Sequence, residues 1–471
     1  MQPDPQAAKP TPPVASTANR TAPVGSDRMP PGIPYIVGNE AAERFNFYGM
    51  RAILVVFMTQ YLRDRSGALA PMSENEADKW YHVFVASNYF FPIFGAVLAD
   101  AIWGKFRTIF WLSIVYSIGS FALAADDTRL GLAMGLSLIA IGSGGIKPCV
   151  SANVGDQFSS SNQHLISRAF GWFYFSINAG SFVSILLIPW LLQHYGSKVA
   201  FAVPGVLMAV ATLVFWMGQK KFVHIPPGGT KFLRDTFTWD TVKLLFRLAV
   251  IYLFVAVFWA LWDQSGGEWV LQAAKMNLHF MGITWLASQI QAVNAIMILA
   301  FIPLFQYGIY PAINRVFTLT PLRKMGIGLV VAGASFLIVA WIETRIRAGE
   351  TPSIGWQLPA YGLLTAAEIM VSITSLEFSY TQAPKSMKSL VMAVYLWSIS
   401  LGNAFTALVH VFIQNPDGTL KLNGTSFYLF FAGLAAVAGV VLVLFAQMYR
   451  EKTHLQDEQP GGKPPSEPAP A

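Results

Sequence analysis

Residues 39–62 read NEAAERFNFYGMRAILVVFMTQYL, a charged beginning that runs into an apolar stretch. About 20 mostly apolar residues are needed for a helix to cross a bilayer, and this segment has that length. Glu40, Glu43/Arg44, Phe47/Tyr48 and Arg51 recur every three to four residues, so a helix places them on one face in i,i+3 and i,i+4 contact. Charges in hydrocarbon are costly and need a partner or a water-filled cavity. A helix cap at the membrane interface accounts for Glu40 alone. Arg51 lies some two turns deeper than Glu43, and a cap does not explain it. The stripe is therefore expected to face a polar cavity inside a helical membrane protein.

The rest of the composition agrees. The chain has 471 residues, 54% of them hydrophobic and only 12% charged, and a mean hydropathy of +0.47. Soluble domains carry about 25% charged residues. The aromatic share of 14%, including 35 Phe and 14 Trp, suits lipid-facing surfaces and interfacial belts. The net charge of +7 then concerns membrane orientation rather than nucleic acid. The single cysteine, Cys149, allows no intramolecular disulfide and leaves the compartment open.

Twelve candidate spans lie near 45–62, 80–99, 106–125, 130–150, 166–193, 199–218, 244–264, 283–307, 325–343, 358–381, 390–413 and 426–448. They divide into two groups of six. The expected organisation is a cytoplasmic tail at 1–37 without ordered structure, a six-helix bundle at 38–219 and a cytoplasmic linker at 220–242. A second bundle follows at 243–449, then a second tail at 450–471. With both termini cytoplasmic, the inner loops hold Lys105, Arg107, Lys220, Lys221, Arg323 and Lys324, whereas acids offset Arg63, Arg65 and Lys79 outside. GAVLADAIWGKFRTI after the second span and YGIYPAINRVFTLTPLRKMGIG after the eighth are similar basic turns. Two parallel six-helix halves are what a major facilitator fold requires, with a substrate site between them near the midplane.

Other polar residues also fall inside spans. His82, near a helix end, serves equally well as a satisfied structural group or as a proton carrier. Lys147 sits among glycines and next to Pro148, and either snorkels or faces the cavity. Asn178, one turn after Tyr174, and Asn294, near Gln289 and Gln291, are either glue between helices or cavity groups. Asp263 follows four apolar turns. Glu377 and Glu368 are nine residues apart, on roughly opposite faces at about 100° per residue; Glu377 is expected to be the cavity acid and Glu368 secondary.

These residues fall in segments that resemble a known family. EAAERFNFYG resembles the ExxERFxYYG motif of the proton-dependent oligopeptide transporters within the major facilitator superfamily. GGIKPCVSANVGDQF, FYFSINAGS, FWALWDQSGGEWVLQA and SLEFSYTQAPKSMKS resemble its other signature segments, in the family's order from about Gly38 to Asn403. The resemblance implies proton-coupled symport of di- and tripeptides by alternating access, with no cofactor or metal beyond the proton and no enzymatic activity. It assigns proton coupling to Glu40, Glu43, Arg44, His82, Asp263 and Glu377. Peptide binding falls to Arg44, Tyr48, Lys147, Asn178, Asn294 and Glu377, and gating to the pairs Arg51–Asp263 and Lys147–Glu377. The expected partners are short peptides, protons and the lipid bilayer, with no nucleic acid and a monomer as the working unit.

The chain departs from the family pattern at Phe47, where the first motif tyrosine is usual, at Asn153, where phenylalanine is usual, and at Ala295, where proline often follows the helix 8 asparagine. It also lacks the two extra helices of many bacterial members and the large outer domain of animal members, which points to a bacterial inner membrane. A related proton-coupled carrier of nitrate, amino acids or another peptide-like compound is the alternative. No HExxH, GxSxG or paired-cysteine motif points to a membrane enzyme.

Overall fold

The computed structural model describes residues 20–23, 26–236, 238–382, 388–415, 420–422 and 424–448. Ten helical stretches within them are long and apolar enough to cross a membrane. One of these, Arg168–Met217, has 50 residues, or roughly 75 Å at 1.5 Å per residue, far more than a bilayer core. It bends at Gly196, whose φ of 79° is open to glycine at little cost, and so supplies two spans. Glu40, Glu43, Arg44 and Arg51, spread through the Ile33–Gln60 helix, keep it out of the apolar set, although its 28 residues are long enough to cross. The total is twelve spans.

In chain order these are α1 (Ile33–Gln60), α2 (Glu74–Trp103), α3 (Lys105–Ala125), α4 (Arg129–Asp156), α5 (166–195) and α6 (197–217). The second half has α7 (Trp239–Trp262, extended by a 3-10 turn at Asp263–Gly266), α8 (Ala287–Asn314), α9 (Pro321–Arg347) and α10, which starts with Gln357–Glu368. α11 (Lys388–Ile413) and α12 (Thr425–Met448) complete it. The helix starts carry local signals. Ser73 and Thr128 accept hydrogen bonds from the amides of Glu76 and Gly131 as N-caps, and Thr320 does the same for Arg323 ahead of Pro321.

Each half has its own core. One centres on Phe57, Tyr116 and Phe201 and draws almost wholly on residues between 33 and 222; the other centres on Phe258, Trp269 and Phe336, between 248 and 442. α2 and α4 cross closely, since a Cβ on Gly95 would lie 2.3 Å from the carbonyl oxygen of Gly145. The halves also share a local irregularity. The second helix of each contains a π-helical turn, at Leu98–Trp103 in α2 and Phe305–Ile309 in α8, just before the paired basic turns. A third, Ile369–Ile373, interrupts α10 before it resumes as Thr374–Gln382.

The expected N-terminal tail is too long. Residues 1–19 lie outside the described residues, as do 449–471. Arg20, however, pairs with Val223, the Ser26 amide donates to Ser161 Oγ at 2.9 Å, and helix begins at Ile33 rather than after residue 37. Pro34 in the first turn of that helix is pre-set for a helical start. Between α6 and α7 the connection holds one 3-10 turn and an eight-residue helix, Gly229–Thr236.

Candidate functional site

The inner half of α1 assembles a charge cluster with α4. Arg44 Nε donates to Glu40 Oε1 at 2.6 Å and stands 3.0 Å from Glu43 Oε2. Glu43 Oε1 accepts from Ser143 Oγ at 2.5 Å. One turn further along α4, Lys147 is half-buried, and its Nζ is shielded from solvent with no hydrogen-bond partner among the described residues. Its Nζ lies 3.9 Å from the centroid of the Phe47 ring and 4.5 Å from that of Tyr89. Phe47 is fully buried, and its π face provides an electrostatic contact for the ammonium where a tyrosine would have carried a hydroxyl.

Above the cluster lies a cavity of about 170 Å³ between the two halves, lined by Tyr48, Arg51, Asn178, Trp262, Asn294 and Glu368 among others. That is more than ten times the roughly 10–15 Å³ a single water requires. Glu368 Oε2 accepts from Trp262 Nε1 at 2.9 Å and from Asn294 Nδ2 at 2.8 Å. Asn294 Nδ2 also donates to Thr365 Oγ1 at 3.0 Å. A carboxylate held by two donors and facing a cavity of this size can still receive a cation.

Toward the ends of α1 and α7 the halves meet in a buried network. Arg51 forms an ion pair with Asp263, and its Nε donates to Tyr81 Oη at 2.5 Å. Asp263 Oδ2 accepts from Asn403 Nδ2 at 2.5 Å, and Asn403 Oδ1 meets His82 Nδ1 at 2.6 Å. His82 Nε2 is 3.4 Å from Asp78 Oδ2, and His410 Nε2 approaches the same oxygen at 2.7 Å. α2 and α11 continue the seam, with Ser400 Oγ donating to the Ala86 carbonyl at 2.8 Å and Trp397 Nε1 to the Phe90 carbonyl at 3.1 Å. This end of the pathway is closed.

The fold has counterparts among known proteins. A family model described as "POT family" matches residues 106–239 and 238–426. The chain belongs to the POT family. The "Peptide transporter family 1" protein of Drosophila melanogaster is 36% identical over 365 residues, 68% of this chain and 48% of that protein. Human "Solute carrier family 15 member 2" is 35% identical over 396 residues, 73% of this chain and 53% of that one. The chain thus spans about half the length of the curated relatives it matches. Among solved structures, an auto-inhibited POT family peptide transporter is 34% identical, with a TM-score of 0.81 over 91% of this chain and 99% of that one. A proton-dependent oligopeptide (POT) family transporter is 35% identical, with a TM-score of 0.75 over 87% and 100%. The protein is accordingly a multi-pass membrane protein of the major facilitator fold.

In this POT-family protein, Tyr48, Asn178 and Asn294 line one cavity, Arg44 lies one turn before Tyr48, and Lys147 sits behind Phe47 and Tyr89. Glu377 is not the cavity acid. It is exposed and absent from the cavity wall, which Glu368 joins instead. The expected Lys147–Glu377 pair is not formed: among the described residues Lys147 Nζ has no hydrogen bond and stands against the Phe47 and Tyr89 rings. The expectation failed on depth. Glu368 comes eleven residues after Gln357, near mid-membrane, while Glu377 is five residues from Gln382. The π turn between the two glutamates also breaks the 100° register assumed for them. Asp78, His410, Asn403 and Tyr81 were missed. Asp78 and His82 at i,i+4 are the available signal, hidden because Asp78 stands beside Lys79 and counts among the acids that offset the outer bases.

Proposed function

We propose that the protein is a proton-coupled symporter of di- and tripeptides that works by alternating access, as a monomer, in a bacterial inner membrane with both termini cytoplasmic. The observation that carries this is the cavity's polarity: Glu368 with Asn294 on the C-terminal half and Tyr48, Arg51 and Asn178 on the N-terminal half, with Arg44 one turn before Tyr48 and Lys147 against Phe47 and Tyr89 next to it. A short peptide is a zwitterion. Its ammonium suits Glu368 and the asparagines, and its carboxylate suits Arg44 and Lys147. Main-chain recognition of this kind tolerates many side chains. The names of the fly relative, a peptide transporter, and of the solved auto-inhibited POT family peptide transporter support the same substrate class.

The coupling follows from which contacts survive a change of access. Arg51–Asp263 and His82–Asn403 each join the two halves, so they exist only while this end is shut. A proton taken up at Asp263 removes half of that ion pair and loosens the seam, and a proton taken up at His82 changes the contact it makes with Asn403. Peptide entering the cavity then engages Glu368 and Lys147, and the Glu40–Glu43–Arg44 cluster holds the second exchangeable proton. Closure of the outer face around the loaded site opens the inner one.

Uptake of labelled dialanine into proteoliposomes tests this directly. An inward proton gradient should drive accumulation, and a proton ionophore should abolish it. Uptake indifferent to the gradient overturns proton coupling; a gradient-driven flux of nitrate or amino acids with none of dialanine overturns the peptide assignment.

A further inference from the structure

At the closed end, three side chains converge that the transport mechanism does not need in combination. Asp78 and His82 lie one turn apart on α2, and His410 comes from α11 in the other half. One ligand atom from each lies within 4.8 Å of both others. All three are buried, at 0%, 0% and 1% exposure. Both Asp78 oxygens and both Nε2 atoms have no hydrogen-bond partner, apart from the charge contacts among themselves at 2.7 and 3.4 Å.

The tautomers of the two imidazoles are fixed from behind. His82 Nδ1 meets Asn403 Oδ1 at 2.6 Å, and His410 Nδ1 meets Asn75 Oδ1 at 2.7 Å. Neither amide can be reversed without loss. Asn403 Nδ2 donates to Asp263 and to the Ile399 carbonyl, and Asn75 Nδ2 to the His410 carbonyl and Gln414 Oε1. Each Nδ1 therefore donates to its asparagine, and each Nε2 faces Asp78, free to offer a lone pair to a metal ion once it has given up its own proton. A metal-ligating histidine is held in this way, with its second nitrogen donating to an oxygen acceptor.

We propose that Asp78, His82 and His410 form a site for a divalent transition-metal ion of the zinc class, which clamps the outer gate shut. Two imidazoles and a carboxylate at about 2.0–2.2 Å from the metal make a three-ligand zinc set, with the fourth position open to water. Glu268 Oε1, 3.6 Å from His410 Nε2, borders that open position. Entry is available through a cavity of about 160 Å³ that His410, Asn75 and Glu268 share with the exposed Glu74–Lys275 ion pair. Because α2 and α11 belong to opposite halves, one ion would cross-link them, and the outer face could not open while it stayed bound. Zinc would thereby act as an external inhibitor competing with the opening motion, not with peptide.

Titration of zinc chloride into the purified, detergent-solubilised chain at neutral pH is expected to show one site per chain. Asp78→Asn and His410→Gln should each weaken it by roughly tenfold or more. Unchanged affinity in both variants, or no saturable binding by the wild type, overturns the site. Should either variant fail to fold, cobalt bound to the wild-type chain decides instead: visible d–d bands of a nitrogen- and oxygen-ligated ion support the proposal, and a spectrum identical to aqueous cobalt refutes it. None of these arms requires transport, so they stand or fall apart from the peptide assignment. In proteoliposomes that accumulate dialanine, external zinc should reduce uptake in the wild type and do so at least tenfold less potently in His410→Gln; equal sensitivity overturns the clamp.

Discussion

The two ends of α1 carry the same kinds of charge and dispose of them differently. At the inner end, Arg44 is paired with Glu40 and Glu43 on its own helix, and Ser143 is the next contact, so the whole cluster stays within one half. At the outer end, Arg51 finds its acid, Asp263, across the divide. A charge cluster inside a rigid half survives rocking of the halves and can store a proton throughout the cycle. A pair that spans the halves must break in every cycle, and whatever weakens it biases the access state. The proposed coupling role of the first and gating role of the second rest on this difference in position.

The sharpest way to break that contrast is Asp263→Ala. Removing one member of a buried ion pair strands the other charge at a cost of about 3–5 kcal/mol, borne only by the closed outer face. The ratio of open to closed should rise on the order of 100-fold to several thousand-fold. Spin labels at the exposed Leu69 and Glu350, one in each half, report the change as a longer distance, and the buried Cys149 does not compete for label. Glu43→Gln should leave that distance distribution unmoved while abolishing uphill uptake and sparing exchange. An opposite outcome in either variant, distance shifted by Glu43→Gln or not by Asp263→Ala, reverses the assignment.

A second, smaller effect separates the two glutamates of α10. Hydrogen bonds to charged groups contribute about 1.5–3 kcal/mol, so Glu368→Gln should weaken dipeptide binding by about 10- to 150-fold. Glu377→Gln, exposed and away from the cavity, should change it by less than about twofold, within the usual effect of surface substitutions. Equal losses in the two variants would return Glu377 to the site.

Why the wrong glutamate was favoured shows where sequence patterning stops. Span number, the split into two sets of six and the polar stripe on α1 follow from hydropathy and spacing, because the bilayer demands about 20 apolar residues per crossing and a partner for every buried charge. Depth within a helix and its phase across a π turn are not encoded in a three-to-four-residue count. Neither is His410, whose meaning depends on a neighbour 332 positions earlier, Asp78. Residues 20–37 likewise look like a polar tail until Val223 and Ser161, both distant in sequence, are seen to pair with them.

The smallest effect concerns Phe47, the departure that the motif comparison flagged. Lys147 has no hydrogen bond there, and its Nζ stands 3.9 Å from the Phe47 centroid. A desolvated cation–π contact contributes about 0.5–2 kcal/mol. Phe47→Leu should lose it, along with the edge contact to Tyr48 at 5.4 Å. Phe47→Tyr should keep the π face and add a hydroxyl in a fully buried position, so its effect on Lys147 should be slight. A double-mutant cycle with Lys147→Met isolates the pair from general packing loss: thermal unfolding should give a coupling of about 0.5–2 kcal/mol for Phe47→Leu and little for Phe47→Tyr. A coupling near zero for Phe47→Leu would mean that Tyr89, 4.5 Å from Nζ on the other side, holds the lysine alone and that the ring at 47 is there for packing.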